Sequence, residues 1–375
     1  MSGGVKFPTV GVIGAGQLAR MMIAPAIALG INLKLFAASS DDSAAIAADH
    51  VVGDYLNPEQ VLAFAKSCDV LTFEHELIPN SIIKVLEENG IAVRPNSSAF
   101  IYSQNKAEMR KVLQENNLPS PKWELYTGAK PTEISFPLIA KSISGGYDGR
   151  GVWVVGSESE LAEILKIQPR LLLEEKLKFT TEIAVMVARS PHGQAATWPP
   201  TLTIQRDGIC IQTITPAPDL SDTLKVSAQE IALKIADVIG LVGVMAVELF
   251  VVDDQLVVNE LAARPHNSGH WSIEGSVTSQ FEQHLRAILD LPLGDTSMRA
   301  EFAVMGNVLG GAKTDMYRPY LHLFARTPYL KVHQYRKEVR AGRKVGHVTA
   351  IGNNLTTLES EVSHAVNYMN GAVDE

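Results

Sequence analysis

The chain has 375 residues, of which 46% are hydrophobic and 20% charged, with a formal net charge of −8. That length exceeds one ordinary core and points to two or three lobes with a ligand site between them. The acidic balance argues against a broad surface for nucleic acid or anionic membrane, and no segment approaches the ~18 consecutive apolar residues of a membrane span.

The N-terminal segment enters a strand pattern without the charged leader, apolar core and cleavage site of a secretory signal, so a cytoplasmic location is expected. A strand is expected over VGVIG at 10–14, then a helix over LARMMIAPAIAL, a strand over LKLFAA at 33–38, a helix from Pro58, a strand over DVLTF at 69–73 and a helix before Ile91. Such alternation implies a parallel sheet covered on both faces. Residues 95–98, Pro-Asn-Ser-Ser, mark a boundary.

Where the first strand meets the first helix, residues 14–19 read G-x-G-x-x-A. Glycines there permit a tight turn and let backbone donors approach a phosphate at the helix N-terminus. Three readings stay open: a dinucleotide, with Asp41 or Asp42 near a ribose; another phosphate; or a purely structural turn.

Beyond a helix near 104–116, a strand over FPLIAKS, a glycine loop, a strand over GVWVVG, a helix through ELAEILK and a strand over RLLLEE describe a small α/β lobe at roughly 119–177. The loop carries Gly145, Gly146, Gly149 and Gly151, a short step from Lys141. Its backbone donors suit phosphates and Lys141 adds charge, whereas the plain alternative is a flexible hairpin. No P-loop signature occurs.

From Glu182 onward strands dominate, with helices over SAQEIALKIADVIG and SQFEQHLRAIL. The stretch AVELFVVDDQLVVNEL reads as a hairpin. A three-residue connection over 253–255 would set Glu248 directly opposite Glu260 on one face, where two carboxylates call for a hard cation such as magnesium. A shifted register would instead send one glutamate to solvent. After it, residues 259–271 form a polar loop in which Arg264, His266 and Asn267 suit an anionic substrate. His266 and His270 have the spacing of a zinc pair, but Pro265 and Gly269 disfavour the helix it needs. Arg336, Lys337, Arg340, Arg343 and Lys344 surround Gly342, either as a solvated hairpin or as a phosphate clamp. Cys68 and Cys210 lack metal-ligand spacing and read as small hydrophobes.

IGAGQLARM, GGYDGRG, VGVMAVELF, NELAARPHNSGHW and RAGRKVGH, in this order and spacing, resemble the ATP-grasp superfamily and, within it, the 5-(carboxyamino)imidazole ribonucleotide synthases. The resemblance runs from Val10 to about Thr349. It implies a multidomain α/β and α+β architecture: a Rossmann-like parallel sheet over 1–103, an ATP-grasp small lobe with a glycine lid over 104–181, and a large lobe with a C-terminal substrate-binding α+β segment over 182–375. The implied reaction carboxylates the amine of aminoimidazole ribonucleotide with ATP and bicarbonate, through carboxyphosphate, in purine biosynthesis. Implied ATP contacts are Lys106, Lys141, Gly146, Tyr147, Asp148, Gly149, Glu174, Glu175, Leu177, Glu182 and Asn259, with Glu248 and Glu260 holding one or two Mg2+ ions. Tyr147, Arg264 and His266 fall where the family handles bicarbonate and the ribonucleotide. Glu76, Arg264, Asn267 and Ser268 are expected on the substrate. Its 5′-phosphate is expected between Gly14, Gly16, Gln17 and Leu18 on one side and Lys337, Arg343 and Lys344 on the other. A homodimer and hand-off of the product to a separate mutase are also implied. The chain departs from the family at Thr201, Leu202 and Thr203 and around Glu74 and Glu76. Rival readings are a formate-using purine ligase, a nicotinamide oxidoreductase built on the 14–19 turn, and a nucleotide sensor without turnover.

Overall fold

A computed structural model of the chain describes residues 6–126, 128, 131, 133–145 and 150–373. Its N-terminal lobe runs β1 (Thr9–Ile13), α1 (Gln17–Ala28), β2 (Asn32–Ala37), β3 (Asp49–Val52), α2 (Pro58–Ala65), β4 (Val70–Phe73) and α3 (Asn80–Glu88). All pairings are parallel, in the order β3-β2-β1-β4. Val10, Val12, Ile13 and Leu71 are fully buried, as a parallel sheet with both faces covered requires. This lobe matches the expected alternation except for the edge strand β3, whose exposed Val51 and Val52 gave no core pattern.

The helix expected near 104–116 is α5 (Lys106–Glu115), and a helix that was not expected, α4 (Ser97–Gln104), precedes it. Asn105 interrupts them in an extended conformation, and its side chain caps α5 by accepting from the N–H groups of Ala107 and Glu108. The break frees the Lys106 N–H to donate to the Ile143 carbonyl at 2.8 Å, which ties α5 to the next lobe.

That small lobe comprises β5 (Trp123–Leu125), β6 (Leu138–Ser142), β7 (Val152–Val155), α6 (Glu158–Ile167) and β8 (Leu171–Glu175), an antiparallel sheet ordered β5-β8-β6-β7. The large lobe follows with β9 (Thr181–Arg189), β10 (Ala195–Thr197), β11 (Thr201–Arg206), β12 (Ile209–Thr215), α7 (Asp222–Val238), β13 (Gly243–Val252), β14 (Gln255–Ala262), α8 (Ser272–Gly275) and α9 (Gln280–Ile288). It continues through β15 (Phe302–Leu309), α10 (Pro319–Arg326), β16 (Lys331–Gln334), β17 (Lys344–Gly352) and α11 (Leu355–Asn370). One sheet, β14-β13-β9-β11-β12-β15-β17-β16, spans this whole region, with β10 paired to β9. The helix α11 was not anticipated, although Asn354 caps it and Leu358, Val362, Ala365 and Met369 recur on its buried face. No helix among the described residues is long and apolar enough to cross a membrane.

Candidate active site

Strands β13 and β14 form the hairpin that the sequence suggested, and Glu248 does stand opposite Glu260. The connection differs. Val252 pairs with Gln255, so the turn is the two residues Asp253 and Asp254, both at positive φ (47° and 58°) as a primed hairpin turn requires. The register then shifts between Glu248 and Leu249: Leu249 pairs with Val258, and Asn259 is the extra residue of a β-bulge. A tight turn and a bulge together produce the pairing expected from a three-residue loop. The two carboxylates crowd one face, and Lys106 reaches Glu260 at 2.7 Å. Burial, followed by the charges of Glu260 and Glu182, pushes the Glu248 carboxyl up to about 7.

Lys141 projects from β6 between the two lobes. Its ammonium lies 2.8 Å from Glu174 Oε2 and donates to Asn259 Oδ1 at 3.0 Å. Burial lowers the Lys141 pKa while Glu174 pulls it back up. The other Glu174 oxygen accepts from Arg110 Nε at 2.7 Å. Burial alone would raise the Glu174 carboxyl, but Arg110 and Lys141 outweigh it and hold the group at about 2. Both carboxylate oxygens of Glu174 are therefore taken by cations, and the side chain does not face outward as an adenine contact would. Glu175 Oε1 accepts from the Lys122 N–H, and Leu177 is half-buried just past β8. Glu182 lies on β9 opposite Phe250, its carboxyl raised by burial and opposed by a hydrogen bond with Gln205.

Beyond β14, Arg264 pairs with Glu76 at 2.8 Å, bringing the N-terminal lobe to the loop. His266 Nε2 lies 3.6 Å from Glu248 Oε1, and its Nδ1 meets Ser268 Oγ at 2.9 Å. Burial, helped by Arg264 and Lys344, holds the imidazole well below its usual value and thus neutral. Gln280, at the start of α9, fixes this residue from behind: its amide accepts from the His266 N–H at 2.8 Å and donates to the His266 carbonyl at 2.7 Å. Two expected substrate contacts turn inward instead. Asn267 exchanges hydrogen bonds with the buried Asn307 at 2.7 and 2.8 Å, and the buried Ser268 serves His266. The half-buried Asn267 amide takes its partner from β15.

The 14–19 turn also differs from expectation. Gly14 N–H donates to the Phe36 carbonyl, while the Glu74 carboxylate accepts from the N–H of Gly16 and of Ala19 at the start of α1. A resident carboxylate thus fills the place proposed for a phosphate. Leu18 points into the N-terminal core, and Asp42 accepts from the N–H groups of Ala38 and Ser39. Gln17 does meet the basic segment, because Lys337 donates to its side-chain oxygen. Lys344 opens β17 near enough to act electrostatically on Glu248, His266 and Lys337, and Arg343 donates to the Glu338 carbonyl at 3.4 Å. Gly146, Tyr147, Asp148 and Gly149 lie outside the described residues. Arg110, Glu74 in this role and Gln280 were missed: each sits inside an ordinary helix or strand-end pattern, where only tertiary partners reveal its function.

Three family models match the sequence: a ribonucleotide synthetase preATP-grasp domain over residues 7–104, an ATP-grasp domain over 111–281 and a phosphoribosylaminoimidazole carboxylase C-terminal domain over 303–361. The chain is 44% identical to the N5-carboxyaminoimidazole ribonucleotide synthase of Mycobacterium bovis, covering 96% of this chain and 88% of the relative. The structure is similar to that of the N5-carboxyaminoimidazole ribonucleotide synthetase of Thermus thermophilus, with a TM-score of 0.87, 32% identity and coverage of 98% and 99% of the two chains. It is equally similar, at a TM-score of 0.87 and 31% identity over 97% and 99%, to the N5-carboxyaminoimidazole synthase of Aspergillus clavatus in complex with ADP and 5-aminoimidazole ribonucleotide.

Proposed function

This chain belongs to the N5-carboxyaminoimidazole ribonucleotide synthase family of ATP-grasp ligases, and on that premise we propose that it carboxylates the amine of 5-aminoimidazole ribonucleotide with ATP and bicarbonate, releasing ADP and phosphate. The observation that carries the residue assignments is the facing pair Glu248 and Glu260 with Lys106 and Lys141 beside it. Two carboxylates on one sheet face, one held up to about 7, form a hard oxygen donor set that one or two Mg2+ ions would relieve. When bound, the metal supplies charge neutralisation on the triphosphate.

The protein's own groups do the rest. Lys141 and Lys106 supply positive charge to the phosphate oxygens, with Asn259, Glu175, Leu177 and Glu182 completing the nucleotide site. The glycine loop at 145–151 is the expected lid that keeps water from carboxyphosphate. Arg264, held by Glu76, and the neutral His266 flank the bicarbonate site together with Tyr147; Gln280 fixes the His266 backbone, and because its Nδ1 accepts from the Ser268 N–H, the ring turns its Nε2–H toward Glu248. Gln17, Lys337, Arg343 and Lys344 hold the ribonucleotide phosphate.

We extend the reading to a cytoplasmic homodimer whose product passes to a separate mutase. Light scattering tests the dimer. Coupled measurement of ADP release tests the function: it should require both bicarbonate and aminoimidazole ribonucleotide, and the product should carry the label of bicarbonate rather than formate. ADP release that ignores the ribonucleotide would overturn the assignment.

A further inference from the structure

Lys106 and Arg110 stand one turn apart on the same face of α5, and both reach β14. Arg110 is completely buried. Its Nη1 donates to the Val258 carbonyl at 2.9 Å, its Nη2 to the Asn259 carbonyl at 2.8 Å and its Nε to Glu174 at 2.7 Å. Val258 and Asn259 are the two residues at which the β13–β14 register shifts. A bulge leaves ladder groups without strand partners, and a buried carbonyl without a donor is costly. The guanidinium fork supplies two donors to this irregular stretch at once, as its planar shape permits.

The same bulge sets two functional directions. It lets the Asn259 side chain accept from Lys141, and it places Glu260 opposite Glu248 in spite of a tight two-residue turn. From the other side, Glu174 on β8 grips Lys141 on β6. Arg110 therefore touches both the strand carrying the candidate metal ligand and the counter-ion of the candidate phosphate-binding lysine.

We propose that Arg110 and Glu174 are positioning residues of the ATP site, a buried strut that locks the bulge at Asn259 and the ammonium of Lys141 into one unit across the two lobes. On this assignment Glu174 contributes nothing to adenine recognition by its side chain. Its carboxylate acts through Lys141, and Arg110 acts through Glu174 and the backbone of residues 258 and 259. The proposal deepens the ATP-ligase reading and rests on it.

The test compares the full-length wild-type chain with Arg110→Lys, Arg110→Met and Glu174→Gln, measuring thermal unfolding, ADP binding by calorimetry, and KM and kcat for each substrate. Arg110→Lys keeps the charge but not the fork, and should fall between wild type and Arg110→Met in kcat/KM for ATP. Arg110→Met and Glu174→Gln should each lower kcat/KM for ATP at least about tenfold while the KM for aminoimidazole ribonucleotide stays within about twofold. Folded variants with wild-type ATP kinetics would overturn the proposal, as would equal losses for both substrates, the mark of general loosening. If Arg110→Met does not fold, Glu174→Gln decides alone, because it preserves size while removing the charge and one of the two acceptor oxygens. If the wild type binds ADP but never turns over with bicarbonate and the ribonucleotide, the ligase reading fails by itself. In that case weakened ADP binding in Arg110→Met or Glu174→Gln still supports the strut, and unchanged binding overturns it.

Discussion

The carboxylate of Glu74 accepts the backbone N–H of Gly16 at 2.5 Å, so the glycine turn at the head of α1 is closed by an internal anion just past β4. A Cβ at Gly16 would press on that carboxylate and displace it from the turn. The same holds for Gly14, whose φ of 103° also disfavours any other residue.

Removing the charge should therefore cost stability before it affects catalysis. Glu74→Gln is expected to lose about 1 kcal/mol, the value of an anion at a partly buried helix N-terminus. Urea unfolding reads this directly. A variant as stable as wild type would show that the carboxylate does not hold the turn.

Glu248 should make stability depend on pH and on metal. Its carboxyl lies at about 7 in the fold against an ordinary 4.5, with burial the first cause and Glu260 the second. Because the folded value is the higher one, the group's contribution is fully present below the ordinary carboxyl value and is lost as pH rises through about 7. That contribution is capped at about 3 kcal/mol and reduced by solvent screening. Mg2+ with ADP needs the ionised form, so its stabilising shift in Tm should grow between about pH 5.5 and 8. A shift that is constant across that range removes Glu248 from the metal site.

Glu260→Gln keeps shape while removing one charge of the facing pair and the partner of Lys106. We expect kcat to fall at least ~100-fold, by analogy with the loss of one charge-stabilising contact, with only partial recovery in excess Mg2+. Near-normal turnover in a folded variant is the outcome that excludes it.

Lys337→Met separates the two phosphate sites. Its ammonium reaches Gln17 at the head of α1, whereas that of Lys141 reaches Asn259 on β14. The KM for aminoimidazole ribonucleotide should rise by about tenfold or more, with that for ATP within about twofold, because binding of a remote phosphate is what is lost. The reverse pattern would assign Lys337 to the nucleotide.

Much of this site was legible in the sequence because it rests on local rules. Alternating apolar residues gave β13 and β14, and the Asp253 and Asp254 pair gave the place of their turn; the expected three-residue connection set Glu248 against Glu260, a pairing that the fold reaches through a two-residue turn and a bulge. The strand-helix alternation gave the parallel N-terminal sheet, and glycines marked the turn before α1. Periodicity and turn chemistry act over a few residues, so the chain states them directly.

Tertiary structure decided which polar groups remain available to a ligand. Asn267 and Ser268 read as substrate contacts until the fold brought them into hydrogen bonds with Asn307 and His266. The turn at Gly14 and Gly16 read as a phosphate cradle until Glu74, 58 residues further on, reached it. Arg110 gave no signal at all, being one cation on an amphipathic helix, yet it braces the bulge and anchors Glu174. The reason is that a buried donor or acceptor must find a partner, and which partner it finds depends on chain segments brought together only by folding.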